Sequence, residues 1–107
     1  MLMPTFTLRL SRSVSHYFLP DIRALLPAES VQFFSNELDE EWHYTLLCGQ
    51  SPENCSLTVS AILVWYQLKH INKLIFSTAS QQVDASGCTS GELFDLLNNS
   101  DAVLYLS

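Results

Sequence analysis

Polar and apolar residues alternate from Thr5 to Leu10, putting Phe6, Leu8 and Leu10 on one side, which is the period of a half-buried strand. The interval then lengthens. Between Ser13 and Leu26, Val14, Phe18, Ile22 and Leu25 recur at helical spacing. Pro20 removes a backbone donor inside this stretch and Pro27 ends it, so the pattern predicts a short or broken first helix. From Val31 to Cys48 two readings compete. In a hairpin, Val31 to Ser35 pairs with Trp42 to Cys48, where Trp42, Tyr44, Leu46 and Cys48 share a face. In a helix, Val31, Phe34, Leu38 and Trp42 form a stripe. The expectation is a strand for Trp42 to Cys48, with Val31 to Leu38 open between the two.

Ser51-Pro52-Glu53 has the chemistry of a helix start: a capping hydroxyl, a proline whose missing N–H costs nothing there, and a carboxylate that the helix dipole favours. That helix is expected to reach about His70. It is apolar nearly all round, with Cys55, Val59, Ile62, Leu63 and Tyr66 on one side and Ala61, Val64, Trp65 and Leu68 on another. Lys73 to Thr78 reads as a buried strand, Thr89 to Glu92 as a capping box opening a helix through Leu97, and Ala102 to Leu106 as a closing strand. Helix, strand, helix, strand is the order of parallel strands joined by right-handed crossovers. No repeat or linker divides the chain. The predicted fold is α/β or α+β: one compact domain over residues 1–107, with a mixed four- to five-stranded sheet, helices packed on it and a parallel second half.

Charge sharpens this picture. Only 15% of the residues are charged, against roughly 25% in an average globular chain. A surface this poor in charge suits a covering partner or a second copy of the chain. Five basic residues against eleven acidic ones, net −6, argue against direct binding to a nucleic-acid backbone, which needs a basic patch. Between Arg23 and Lys69 there is no Lys or Arg, while Glu37, Asp39, Glu40 and Glu41 crowd beside Trp42. Carboxylates beside an aromatic anchor form the surface that a basic protein partner would meet, and these five residues are the candidate partner-binding set.

Cys48, Cys55 and Cys88 are odd in number and lack C-x-x-C spacing, which fits a reducing cytoplasm better than a disulfide framework. Arg9 interrupts the apolar run near the start, against a signal peptide, although the serines and arginines of the first twenty residues share the composition of a transit peptide. The longest uncharged run, Asn54 to Leu68, is too short to span a bilayer. His16, His43 and His70 share no metal-ligand spacing with one another or with the cysteines. No cofactor, metal or membrane is called for.

One segment has the composition of a loop built for chemistry. Asp84, Ser86, Gly87, Cys88 and Thr89 stand between a predicted strand and a capped helix, where backbone N–H groups and the helix dipole favour an anion and would stabilise a Cys88 thiolate. No Arg follows Cys88, so a phosphatase-type cradle is absent, as is a P-loop lysine. Leu47-Cys48-Gly49, the helix to His70, Leu74-Ile75-Phe76 and Val83 to Gly87 resemble, over roughly half the chain, the element order of STAS domains, the phosphorylatable modules of anti-sigma-factor antagonists. The chain departs from that family in having no acid in the strand ahead of Asp84 and no C-terminal helix. The resemblance implies one residue, Ser86, as phosphoacceptor. The leading expectation is a non-enzymatic acidic module that binds and blocks a basic or nucleic-acid-binding protein, as inhibitors and immunity proteins do. The alternative is a small regulatory or ligand-binding domain using the loop Asp84 to Gly91.

Overall fold

Alternation on the first strand is matched by burial. In β1 (Thr5–Leu10) Phe6, Leu8 and Leu10 are fully buried, whereas Thr5, Thr7 and Arg9 are not. The computed structural model describes residues 4–35, 44–78, 82–98 and 103–107. After β1 come α1 (Arg12–Leu25), a 3-10 turn (Ala28–Ser30), β2 (Val31–Ser35), β3 (Tyr44–Gly49), α2 (Pro52–Gln67), β4 (Leu74–Ser77), β5 (Gln82–Asp84), α3 (Ser90–Leu97) and β6 (Val103–Leu106). The result is a single α/β domain in which, among the described residues, three helices pack on a mixed six-stranded sheet of order β2-β3-β1-β6-β4-β5. Buried side chains from the strands and from all three helices form one core, so the helices share one face of the sheet.

Three expectations are corrected. The sheet has six strands, because β5, only three residues long and exposed throughout, gives no periodic signal. The second half is not parallel: β4 pairs antiparallel with both β5 and β6, and the one parallel pair is β1 with β6. The reversal from β4 into β5 precedes α3, so the crossover helix joins β5 to β6 and passes over β4. The first helix is also unbroken. Ser11 caps α1 by accepting from the Val14 N–H, and Val14, Phe18 and Ile22 bury its inner face. Pro20 lies on the exposed side, where water can serve the carbonyl that its missing N–H leaves unbonded.

Of the open stretch Val31 to Leu38, residues Val31 to Ser35 form the strand β2, antiparallel to β3, and the remainder lies outside the described residues. Leu46 and Cys48 of β3 are buried as the hairpin reading required. α2 begins at the expected Ser51 cap but ends at Gln67, where Lys69 takes a left-handed φ of 64° and folds the His70 N–H back onto the Trp65 carbonyl. Its second apolar side is divided: Ala61 is buried and Trp65 half-buried, while Val64 and Leu68 are 50% and 57% exposed. α3 carries the predicted capping box, with reciprocal bonds between Thr89 and Glu92. Among the described residues no helix is long and apolar enough to cross a membrane.

Thr58, on the buried face of α2, has no exposed surface, and its Oγ1 has no hydrogen-bond partner. An unpaired buried hydroxyl carries its full desolvation cost, so Thr58→Val is expected to stabilise the fold by about 1 kcal/mol. A denaturant midpoint that rises at unchanged slope is the expected reading. A fall in the midpoint would contradict it.

Candidate functional site

The candidate partner-binding residues Glu37, Asp39, Glu40, Glu41 and Trp42 lie outside the described residues. The loop ahead of α3 is described in full, and several of its polar groups bond one another. Asp84, the last residue of β5, accepts from the Ser86 N–H at 2.9 Å and from the Ser86 hydroxyl at 2.6 Å. Ala85 is buried and donates its N–H to the Leu74 carbonyl, which ties the loop to β4. The Cys88 N–H reaches back to the Ala85 carbonyl at 3.1 Å. At the start of α3 the Thr89 N–H donates to the Glu92 carboxylate, and the Glu92 N–H donates to the Thr89 hydroxyl. The donors of Ser86, Thr89 and Glu92 that an incoming anion would use are therefore satisfied within the loop.

The electrostatics follow from these bonds. The Ser86 hydroxyl, and then its N–H, hold the Asp84 carboxyl below its ordinary range. The Thr89 N–H, and then its hydroxyl, do the same for Glu92. Cys88 overturns its expectation: burial first, then the charges of Glu92 and Asp84, push its thiol up rather than down. The sequence reading weighed the helix N-terminus and missed that two carboxylates already stand there. The Thr89-to-Glu92 spacing, read as a cap, also says that a carboxylate occupies the helix entrance.

α2 and α3 carry acid alone, while exposed Lys73 lines a hollow of about 280 Å³ together with Asp84 and Ser86. Glu53 at the start of α2, Asp84, Glu92 and Asp95 are exposed, and neither α2 nor α3 contains a Lys or Arg. Gln50 Nε2 donates to the Leu97 carbonyl at 2.7 Å, fixing the end of α3 beside the start of α2. α3 thus runs back along α2. A shallow groove of about 330 Å³ lies between them, lined by Ser56, Ser60, Ser90 and Phe94 among others.

Two further groupings escaped the sequence reading. Tyr17 of α1 stacks on His70 at 4.3 Å between ring centroids, and Trp65 meets the same imidazole edge-on at 5.1 Å. The Trp65 Nε1–H donates to Asp21, so these aromatics fasten α1 to the end of α2. Trp65 is half-buried rather than wholly inside. The other grouping is a groove of about 590 Å³ beside α1, lined by Arg12, His16, Arg23 and Tyr44 together with small and apolar residues. Arg12, His16 and Arg23 fall on one helical flank, a spacing visible in the sequence once charged positions are counted with apolar ones. Among the described residues no three His, Cys, Asp or Glu side chains are grouped to hold a metal ion. No protein-family model, curated protein or solved structure matches this chain, and the STAS resemblance rests on its own residues alone.

The thiols separate by access and by charge. Cys48 and Cys55 are buried and Cys88 is partly open, so a mild alkylating agent is expected to label Cys88 first. Its raised pKa predicts a rate that keeps climbing above the ordinary thiol range. Burial pushes Cys48 from an ordinary value of 9.0 up to about 12, with Cys55 adding to it. The folded thiol holds its proton more tightly than the unfolded one, so this contribution to stability is complete below pH 9 and is lost as pH rises toward 12. Denaturation series in that window should show a decline that Cys48→Ala flattens. An equal slope in both proteins would refute the assignment.

Proposed function

We propose that this chain is a non-enzymatic, acidic protein-binding module of the inhibitor or immunity type, which covers a basic or nucleic-acid-binding surface of its partner. The observation that carries the reading is the segregation of charge: Glu53, Glu92 and Asp95 are exposed on two helices that bear no Lys or Arg. A one-signed surface speeds encounter with an opposite one. The carboxylates of Glu37 to Glu41, next to Trp42, extend the same sign in sequence. Half-exposed Val64 and Leu68 supply apolar area on α2. Once a partner is captured from the native host, association should slow with added salt. It should slow likewise when Glu37, Asp39, Glu40 and Glu41 are replaced by Ser, or Asp95 by Asn. Association kinetics indifferent to salt and to both sets of substitutions would remove the proposal.

A second reading, a small STAS-like regulatory domain, is favoured by the short contact between the Ser86 hydroxyl and the Asp84 carboxylate, which orients that hydroxyl on a partly open loop. Ser86→Ala should cost the fold little, while Thr89→Ala should cost about 1 kcal/mol through the lost cap. If Ser86 accepts phosphate, Ser86→Asp adds a third negative charge beside Asp84 and Glu92 and should change partner affinity. Equal binding by the parent, Ser86→Ala and Ser86→Asp would leave the loop a purely structural turn.

A further inference from the structure

β2 is an edge strand, with β3 on one side and no strand of the described residues on the other. Edge strands offer unpaired N–H and C=O groups to any extended chain that can lie beside them, and proteins usually blunt such edges with charge, proline or brevity. β2 has none of these devices. It runs five residues, Val31-Gln32-Phe33-Phe34-Ser35, without a charge or a proline, and Phe34 is 50% exposed. The opposite edge, β5, is blunted by its three-residue length.

Beside β2 the surface is concave. A groove of about 320 Å³ is walled by Ile22, Leu26 and Ala28 on one side and by Val31 and Phe33 of the strand on the other. Arg23 belongs both to this groove and to the larger one that continues along α1 past His16 to Arg12 and Tyr44. The two hollows meet at the Arg23 guanidinium, which lies 4.6 Å from the centre of the Phe33 ring. Among the described residues no carboxylate lines either of them. Asp21, the acid of α1, is held on the opposite flank by Trp65, and exposed Glu29 sits on the turn beyond Ala28. In a chain of net charge −6, two of the five Lys and Arg residues line this one trough.

We propose that the trough between α1 and β2 receives an extended acidic segment of a partner protein, added to the sheet as a seventh strand. The added backbone pairs with the outer edge of β2. Alternate apolar side chains seat between α1 and the strand, and carboxylates meet Arg12 and Arg23. Main-chain bonds then supply affinity, while the alternating pockets and the arginines supply selectivity. A second copy matches the charge of the trough less fully than an acidic segment does. Two β2 strands paired antiparallel about a two-fold axis would bring the partner copy's Ala28–Ser30 turn, with its single carboxylate, to the arginine end. This site is distinct from the acidic residues of α2 and α3, whereas Glu37, Asp39, Glu40 and Glu41 stand in sequence between Ser35 of β2 and Tyr44 of the trough; the peptide assay and the partner-association assay read the two proposals separately.

The test uses the intact chain and a labelled nonapeptide of alternating Glu and Val, read by fluorescence anisotropy. Two controls are a Lys-for-Glu peptide and a Glu peptide with alternate backbone nitrogens methylated. The Glu peptide is expected to bind, the Lys peptide to bind at least about tenfold more weakly, and methylation to abolish binding because strand addition needs the N–H groups. Arg12→Glu with Arg23→Glu, both at exposed positions, should weaken the Glu peptide by a similar factor and reverse the preference toward Lys. Slowed amide exchange at Gln32 to Ser35 on binding would place the peptide on β2. No binding of the Glu peptide at millimolar concentration, equal binding of Glu and Lys peptides, or indifference to methylation would each overturn the proposal. So would a concentration-dependent dimer that the Glu peptide does not dissociate, since it would assign the edge to a second copy.

Discussion

Every element in this fold takes its position from β1, because β1 is paired on both sides and buried on one face. Phe6, Leu8 and Leu10 have no exposed surface. A shift of one residue in its register would turn all three toward solvent and bring Thr5, Thr7 and Arg9 into the core. Its antiparallel bonds to β3 and parallel bonds to β6 join the two halves of the chain. The registers define rows across the uncovered face, one of which runs Phe34, Thr45, Arg9, Tyr105, Ile75, Asp84. Arg9 sits at the middle of this row with its guanidinium 5.8 Å from the Tyr105 ring, which shields its aliphatic stem and keeps a cation on an otherwise weakly charged face. Leaving one face to water is open to this sheet because four of the five pairings among the described strands are antiparallel.

The parts legible in the sequence were those fixed by short-range chemistry. The Ser51 cap, the Thr89 to Glu92 box and the alternation of β1 are set by residues within four positions of each other, and each holds in the structure. What escaped depended on the third dimension. β5 is a strand because Ile75 and Ser77 stand opposite Asp84 and Gln82, not because Gln82-Val83-Asp84 has strand character. Pro20 is tolerated because α1 turns that position outward, a fact contained in the phase of Val14, Phe18 and Ile22 but outweighed by the general cost of an interior proline. Cys88 was misjudged for a related reason. Partial burial of the thiol comes first, and the charges of Glu92 and Asp84 then outweigh what the helix N-terminus would offer a thiolate.

Buried polar bonds hold the acidic helices at their angle to the sheet. Asn54 is buried and donates through Nδ2 to the Gly49 carbonyl at 3.0 Å, fixing the first turn of α2 against the end of β3. Gln50 joins the same junction to the last turn of α3. Two amides thus connect β3, α2 and α3 within a few residues, and each satisfies a backbone carbonyl that would otherwise be left at an element end. A side chain added at Gly49 would meet Asn54 Nδ2 and Ser30 at 3.5–3.6 Å, ordinary contact distances, so the glycine is not demanded by crowding. The geometry there is set by the amides instead. Charge on α3 is therefore presented by a rigid element, and a rigid surface loses little entropy when a partner covers it.

The two proposed surfaces differ in sign, which raises the question of why they do not neutralise each other. α2 packs against both α1 and α3 and so stands between them. Packed helices lie about 8–10 Å apart, which puts the α1 and α3 axes roughly 16–20 Å from each other. The Debye length at physiological salt is about 8 Å, so exposed charges on α1 and α3 are largely screened from one another. Across α2 itself the surface carries little charge to bridge them, since Glu53 is its one ionisable carboxylate and it has no cation. Arg12 and Arg23 can therefore keep a local positive potential on a chain whose net charge is −6, and the carboxylates of α3 keep theirs. An apolar, nearly uncharged α2 standing between α1 and α3 is what keeps the charges of those two helices apart.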